Sequence, residues 1–242
     1  MPAAPGEICV RIDRVTGIGT GVGRPRHSAP LRDGVSGREQ ILDAAAQMFS
    51  EQGYSAASTR RIAEAVGVKQ ASLYYHFASK QDILAELLAG TVRPSLAFST
   101  RLSRTNEPAH IQLYALTVFD VTLLSSGRWN VGALYTLPEL RAEQFEDFRR
   151  DRELLKRAYG RRVSAGLKSG RFVASSVETA TCLVFALAES VISMRADGTK
   201  LDDDLSQVVA TAALRLLGCD GRDVKTAAAG ASRLLAGAKP VD

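Results

Sequence analysis

The sequence predicts an all-α protein in which a small three-helix unit precedes a larger helical one. Three observations carry that prediction. Apolar residues recur at three- and four-residue spacing from Ser36 onward. Helix starts carry S-x-x-E or S-x-x-D signatures, and helix stops carry glycine. Beyond Pro108 no alternating apolar/polar pattern of the strand type interrupts the helical periodicity.

Residues 1–35 are rich in Gly, Pro and Arg without sustained periodicity and read as a leader. Arg24 and Arg26 flank Pro25 there, as a solvated tail or as an arm suited to a minor groove. The first helix follows, with Ile41, Leu42, Ala45, Met48 and Phe49 on one face. Ser36 and Glu39 form its capping box, and Gly53 marks its end. Ser58 or Thr59 caps a short second helix whose Ile62, Ala63 and Val66 turn inward, and Gly67 supplies the left-handed turn that stops it.

The third helix spans 70–77. Leu73 and Phe77, four residues apart, are its inward anchors, which leaves Gln70, Ser72, Tyr74, Tyr75 and His76 largely outside. Ser79 and Asp82 open a long fourth helix carrying Ile83, Leu84, Leu87 and Leu88, and Pro94 is expected to kink or end it. Further helices are expected at 108–126, 128–136, 139–169, 176–196 and 202–218. The third of these five is charged along Arg141 to Arg162, with Glu146/Arg150 and Glu153/Arg157 at the favourable i, i+4 spacing; Phe145, Phe148, Leu155 and Tyr159 can still turn inward. After Gly221 the Ala- and Gly-rich chain reads as a short frayed helix or a disordered tail.

Composition bounds the function. Hydrophobic residues at 45% and charged residues at 24% describe a chain that folds, and exclude a disordered or fibrous one. A net charge of +5 is compatible with a polyanion partner. Cys9, Cys182 and Cys219 are odd in number and far apart, so they give no disulfide framework and no CxxC site; a reducing cytoplasm fits. No uninterrupted apolar run reaches 18 residues and the start lacks a signal-peptide pattern, so no membrane partner is expected. HExxH, GxSxG and P-loop motifs are missing, and His27, His76 and His110 are scattered, which argues against an enzyme and against a metal or other cofactor. Gly17, Gly19, Gly21 and Gly23 alternate, but no strand and helix frame them as a dinucleotide site requires.

Two short helices joined by a turn at Gly67, with polar side chains facing out of the second, have the form of a helix-turn-helix. Between Gly53 and Lys80, Arg60, Arg61, Lys69 and Lys80 face Glu64 alone, so 4 minus 1 leaves +3. Gln70 and Ser72 are short donors and acceptors near the helix start, suited to base edges in the major groove of operator DNA. The run TRRIAEAVGVKQASLYYHFASKQDIL from Thr59 to Leu84, with the upstream ILDAAAQMFSEQGYSAAS, closely resembles the N-terminal signature of TetR-family repressors. The resemblance covers about residues 37–88; the remainder resembles the family only in being helical and of the usual length.

The resemblance implies a ligand-responsive repressor of double-stranded operator DNA. It divides the chain into a helix-turn-helix DNA-binding domain at 36–82, a helical ligand-binding and dimerisation domain at 83–220, and a tail at 221–242. It places Tyr74 and Tyr75 against DNA, although both can instead pack on neighbouring helices. Thr59, His76 and Lys80 match phosphate-clamping positions, with a local carbonyl as the other partner open to His76. The wide apolar faces of helices 176–196 and 202–218 are candidates for an intersubunit four-helix bundle, and one helix-turn-helix reads too few base pairs alone, so a homodimer is expected. The family places a small-molecule pocket among the C-terminal helices, where Phe119, Trp129, Tyr135, Phe145 and Phe185 can be walls or ordinary core. Arg128, beside Trp129, is either an anion partner there or an exposed helix-start arginine. Ligand filling is expected to tilt the helix after Ser79 and so separate the two recognition helices.

Overall fold

A computed structural model describes residues 36–236; Cys9, the leader glycines, Arg24, Arg26 and His27 lie outside the described residues. The elements are α1 (Gly37–Gln52), α2 (Thr59–Val66), α3 (Gln70–His76), α4 (Lys80–Leu102), α5 (Ala109–Ser126), α6 (Glu146–Lys168), α7 (Val177–Ala196), α8 (Leu205–Leu216) and α9 (Gly221–Ala236). Three 3₁₀ segments, Val131–Thr136, Pro138–Arg141 and Glu143–Phe145, lie between α5 and α6. No strand occurs among the described residues.

Local chemistry sets the N-terminal unit. Ser36 Oγ accepts from the Glu39 N–H at 3.2 Å, and Glu39 Oε2 accepts from the Ser36 N–H at 2.9 Å, closing the capping box on α1. Ser58 caps α2. Gly67, at φ 75°, takes the left-handed turn between α2 and α3 that a Cβ would strain. Ile41, Phe49, Ile62, Leu73 and Phe77 fill the space between the three helices, each contributing about 1.5–3 kcal/mol of burial. α4 leaves this core through Ile83, Leu84 and Leu88, which are all fully buried.

α5 is the axis of the larger unit. It is buried on nearly every side and packs against α4, α6, α7, α8 and α9, as an all-round apolar helix must. Phe145, Phe148, Leu155 and Tyr159 are buried as expected, and the Glu153–Arg157 pair forms at 3.1 Å.

Several expectations are corrected. Pro94 does not end α4: packing of α4 along α5 and α6 outweighs the roughly 3 kcal/mol that an internal proline costs. The expected helix at 128–136 is the 3₁₀ segment Val131–Thr136, and the expected helix at 139–169 starts only at Glu146. Ala142 is extended at ψ 155°, and Arg149 caps the carbonyls of Leu140 and Ala142, so the chain turns there before helix can propagate. Arg150 pairs with Asp147 rather than Glu146.

Of the segment read as a short frayed helix or a disordered tail, residues 221–236 form a 16-residue helix, α9. Asp220 Oδ1 accepts from the N–H groups of Arg222 and Asp223 at 2.8 Å, a helix cap, and Asp223 pairs with Arg171. Small residues let α9 lie close on α5: a Cβ added at Gly230 would sit 2.7 Å from Ile111.

Candidate nucleic-acid interface and effector cavity

α3 presents the first candidate site. Leu73 and Phe77 pin it to the core, and Gln70, Ser72, Tyr74, Tyr75 and His76 are all exposed, Tyr75 to 87%. Thr59, at the start of α2, joins this row: Gln70 Nε2 donates to Thr59 Oγ1 at 3.1 Å and to Tyr74 Oη at 3.4 Å, while the Thr59 and Tyr74 hydroxyls form a hydrogen bond at 3.2 Å in which either can donate. That triangle fixes α3 against α2 and leaves the Gln70 carbonyl oxygen turned to other donors. His76 stacks edge-on with Tyr75 at 5.3 Å.

The cations divide by what holds them. Arg60 pairs with Glu64 at 2.9 Å in solvent. Arg61 ties the end of α1 to the start of α2, donating to Gln52 Oε1 at 2.6 Å and Ala56 O at 3.2 Å. Lys69 is exposed at the start of α3. Lys80 is half-buried: its ammonium donates to Tyr54 O and Ala57 O, both at 2.9 Å, and lies 4.1 Å over the Tyr54 ring. Burial lowers its pKa. The structure thus places Lys80 as a clasp on the α1–α2 loop, a use that motif matching alone does not reveal.

The second site is a cavity of about 850 Å³ between the 3₁₀ segments, α6 and α7. Tyr135, Phe148 and Ile192 give it apolar walls, and Arg152 with Glu189 gives it a polar one. Arg152 holds Glu189 with Nε at 2.8 Å and Nη2 at 2.5 Å, and its guanidinium lies over the rings of Tyr135 and Phe185. The volume suits a drug-sized ligand, and the wall composition matches such sites. Burial raises the Tyr135 pKa, with its hydroxyl donated to Thr91 at 2.6 Å.

Of the five expected pocket aromatics, Tyr135 lines this cavity. Phe185 touches it through Arg152, while packing edge-on against Tyr159. Phe145 is fully buried core, and Phe119 is stacked on Phe98 at 4.4 Å, both outside the cavity lining. Trp129 lies at the junction of the two units, its indole on Asp43 of α1. Arg128 is there too, 3.6 Å from the same carboxylate. Sequence reasoning missed Arg152, Glu189 and Phe148 as cavity residues; an arginine aligned with the buried face of an otherwise solvated helix was the available signal.

The cavity wall continues into that junction. Asn130 donates to Ile192 O at 2.9 Å, and Arg195 at the end of α7 donates to Leu124 O at 2.5 Å and to Gly127 O. The loop that carries Arg128 and Trp129 is therefore held by α7 on one side and by α1 on the other.

A third surface is apolar. Val177 and Leu183 of α7 and Val208 and Leu216 of α8 are 40–53% exposed. α7 is long and apolar enough to cross a membrane by length and composition, yet it packs one face on α5, α6 and α8.

The model of the family described as bacterial regulatory proteins, tetR family, matches residues 41–87. The HTH-type transcriptional repressor KstR2 of Mycobacterium tuberculosis is 47% identical over 55 residues, 23% of this chain and 28% of that repressor. The regulator AcrR of Shigella flexneri is 44% identical over 50 residues, 21% of this chain and 23% of that protein. The matches thus span about a quarter of the length of these curated relatives. The crystal structure of Mycobacterium smegmatis AmtR is 46% identical, covers 88% of this chain and 100% of its own, and superposes with a TM-score of 0.79. A regulatory protein of the tetR family from Rhodococcus RHA1 is 25% identical with a TM-score of 0.66, over 77% of this chain and 100% of its own.

Proposed function

The chain belongs to the TetR family of bacterial regulatory proteins, and from that premise we propose that it is a cytoplasmic transcriptional repressor, not an enzyme, that releases operator DNA when a small molecule fills the cavity beside Tyr135. The observation that carries the DNA reading is the exposed row of Gln70, Ser72, Tyr74, Tyr75 and His76 on a helix whose core anchors are Leu73 and Phe77. In this reading residues 36–82 form the DNA-binding domain and 83–220 the ligand-binding and dimerisation domain. Gln70 and Ser72 read base edges. Thr59, Arg60, Lys69, Tyr74, Tyr75 and His76 meet sugars and phosphates, and their contacts position the helix without reading sequence. Lys80 acts from behind by holding the α1–α2 loop in register.

Two copies join through the exposed faces of α7 and α8, which sets both recognition helices in successive grooves about 34–36 Å apart. Filling of the cavity pushes on the segment from Trp129 to Tyr135, which is clamped to α1 through Asp43, and tilts α4 with it.

Binding of the full chain to the DNA flanking its own gene, titrated with salt beside a shuffled duplex, tests this. Operator preference should persist as salt rises while total affinity falls linearly in log–log terms. Equal affinity for both duplexes at every salt concentration would overturn the reading.

A further inference from the structure

Arg162 of α6 is only 4% exposed. The oxygens that hold its guanidinium are all uncharged: Nη1 donates to Ser99 Oγ at 3.1 Å and Ala158 O at 2.8 Å, and Nη2 to Ser99 O at 2.9 Å and Ser103 Oγ at 3.5 Å. Its Nε is buried without a partner. A charge taken out of water at this depth is ordinarily matched by an opposite one, because the desolvation penalty amounts to several kcal/mol per ion. Among the described residues no carboxylate closes an ion pair with it. Burial, and then the neighbouring Arg161 guanidinium, lower its pKa to about 10, as a site short of negative charge requires.

Arg162 lines a crevice of about 200 Å³ where the end of α4, the start of α5 and α6 meet. Arg161, Ser103, Glu107, Ala109 and Gln112 line it as well. Pro108 gives α5 no side-chain cap; its carbonyl takes the N–H groups of Ile111 and Gln112, which leaves those of Ala109 and His110 at the positive end of the helix dipole, with Ala109 in the crevice lining. Glu107 is the acid in the lining, and Arg233 of α9 draws it at 3.4 Å. Two arginines against one glutamate leave 2 − 1 = +1 on the walls. The Gln112 amide is committed to Glu107 O at 2.8 Å and the Ser103 hydroxyl to Ser99 O at 3.0 Å, which leaves Arg161 and the open start of α5 as donors beside the unmatched charge of Arg162.

We infer that this crevice binds one small oxyanion per chain, of the size of phosphate, sulfate or acetate, between Arg161, Arg162 and the first turn of α5. It is a separate site from the cavity beside Tyr135, and its volume falls below the roughly 300–1,000 Å³ that drug-sized ligands occupy. The anion supplies the charge that Arg162 lacks and holds the far end of α4, through Ser99 and Ser103, against α5 and α6.

Thermal melts and calorimetry of the full chain test this, with phosphate, sulfate or acetate replacing chloride at constant ionic strength. The melting temperature should rise by several degrees and saturate with at least one of the three oxyanions, at one ion per chain. Arg161→Gln, at an exposed position, should fold normally and weaken that binding at least fivefold. Arg162→Met should abolish the response while its melting temperature in chloride stays equal to or above that of the parent, since the replaced charge was unpaired. An equal melting temperature in all four salts, or an oxyanion response unchanged in Arg161→Gln, would overturn the assignment; the second holds even if Arg162→Met fails to fold.

Discussion

The indole Nε1 of Trp129 donates to Asp43 Oδ1 at 2.8 Å, which fastens the loop after α5 to the first helix of the DNA-binding unit. Arg128 stacks on the same indole at 4.6 Å and reaches the same carboxylate. Trp129 is the single tryptophan of the chain, so its fluorescence reports this junction. Asp43→Ala removes the acceptor and should shift the emission to the red as the ring gains water. It should also lower stability by about 1–3 kcal/mol in denaturant melts. An unchanged spectrum would mean that packing alone holds the ring.

Lys80 and Gln70 should separate by what they do to DNA binding. Gln70→Ala is expected to relax sequence preference by about 1–3 kcal/mol at one base position, with the salt dependence of binding unaltered. Lys80→Ala frees two carbonyls in the α1–α2 loop. It should weaken all DNA and lower stability together, again without a shallower salt slope, because its ammonium is spent inside the protein. A slope reduced by about one unit for Lys80→Ala would return it to the phosphate-contacting set.

The apolar face on α7 and α8 should hold the dimer. Leu183→Glu with Val208→Glu places two charges where burial is needed and should halve the mass measured by light scattering, to the 25.9 kDa of one chain. Operator affinity should fall more than tenfold, since one recognition helix is left. A double variant that keeps both its mass and its operator affinity would move the interface elsewhere.

Asp120 should give the fold a pH dependence of opposite sign to the usual carboxylate. It is fully buried, with Ser95 Oγ donating at 2.8 Å and Tyr159 Oη at 3.1 Å, and burial raises its pKa from 3.8 to about 6. Between those values the folded chain keeps the proton that the unfolded chain releases. Its stabilising contribution is therefore full below pH 3.8 and is lost as pH rises through 6, about 3 kcal/mol in all. Asp120→Asn should flatten this part of the stability profile in urea melts from pH 4 to 8. A profile that keeps its slope in the variant would assign it to another group.

The three-helix unit was readable because its signals are local. The Ser36–Glu39 box, the Gly67 turn and the Leu73/Phe77 spacing each act within one or two turns of chain and formed as read, and of Ser58 and Thr59, both open as caps of α2, Ser58 takes that place. The candidate DNA residues could be named for the same reason, as α3 is too short to hide both of its faces. The region after α5 resisted reading: an apolar stripe cannot tell a 3₁₀ segment from a helix, and the break at Ala142 depends on Arg149 turning back onto two carbonyls. The cap at Asp220, with Asp223 three residues on, was in the sequence and was outweighed by the Ala- and Gly-rich composition around it.

By itself the sequence determined the helical class, the N-terminal unit and its outward-facing row, because hydrogen bonds and burial between residues three or four apart decide them. Tertiary structure alone decided which aromatic reaches the cavity, that Lys80 turns inward, that Trp129 grips Asp43 and that Arg162 is buried without an opposite charge. Those outcomes rest on side chains far apart in sequence competing for the same buried space and the same few acceptors, a competition that only the packed chain resolves.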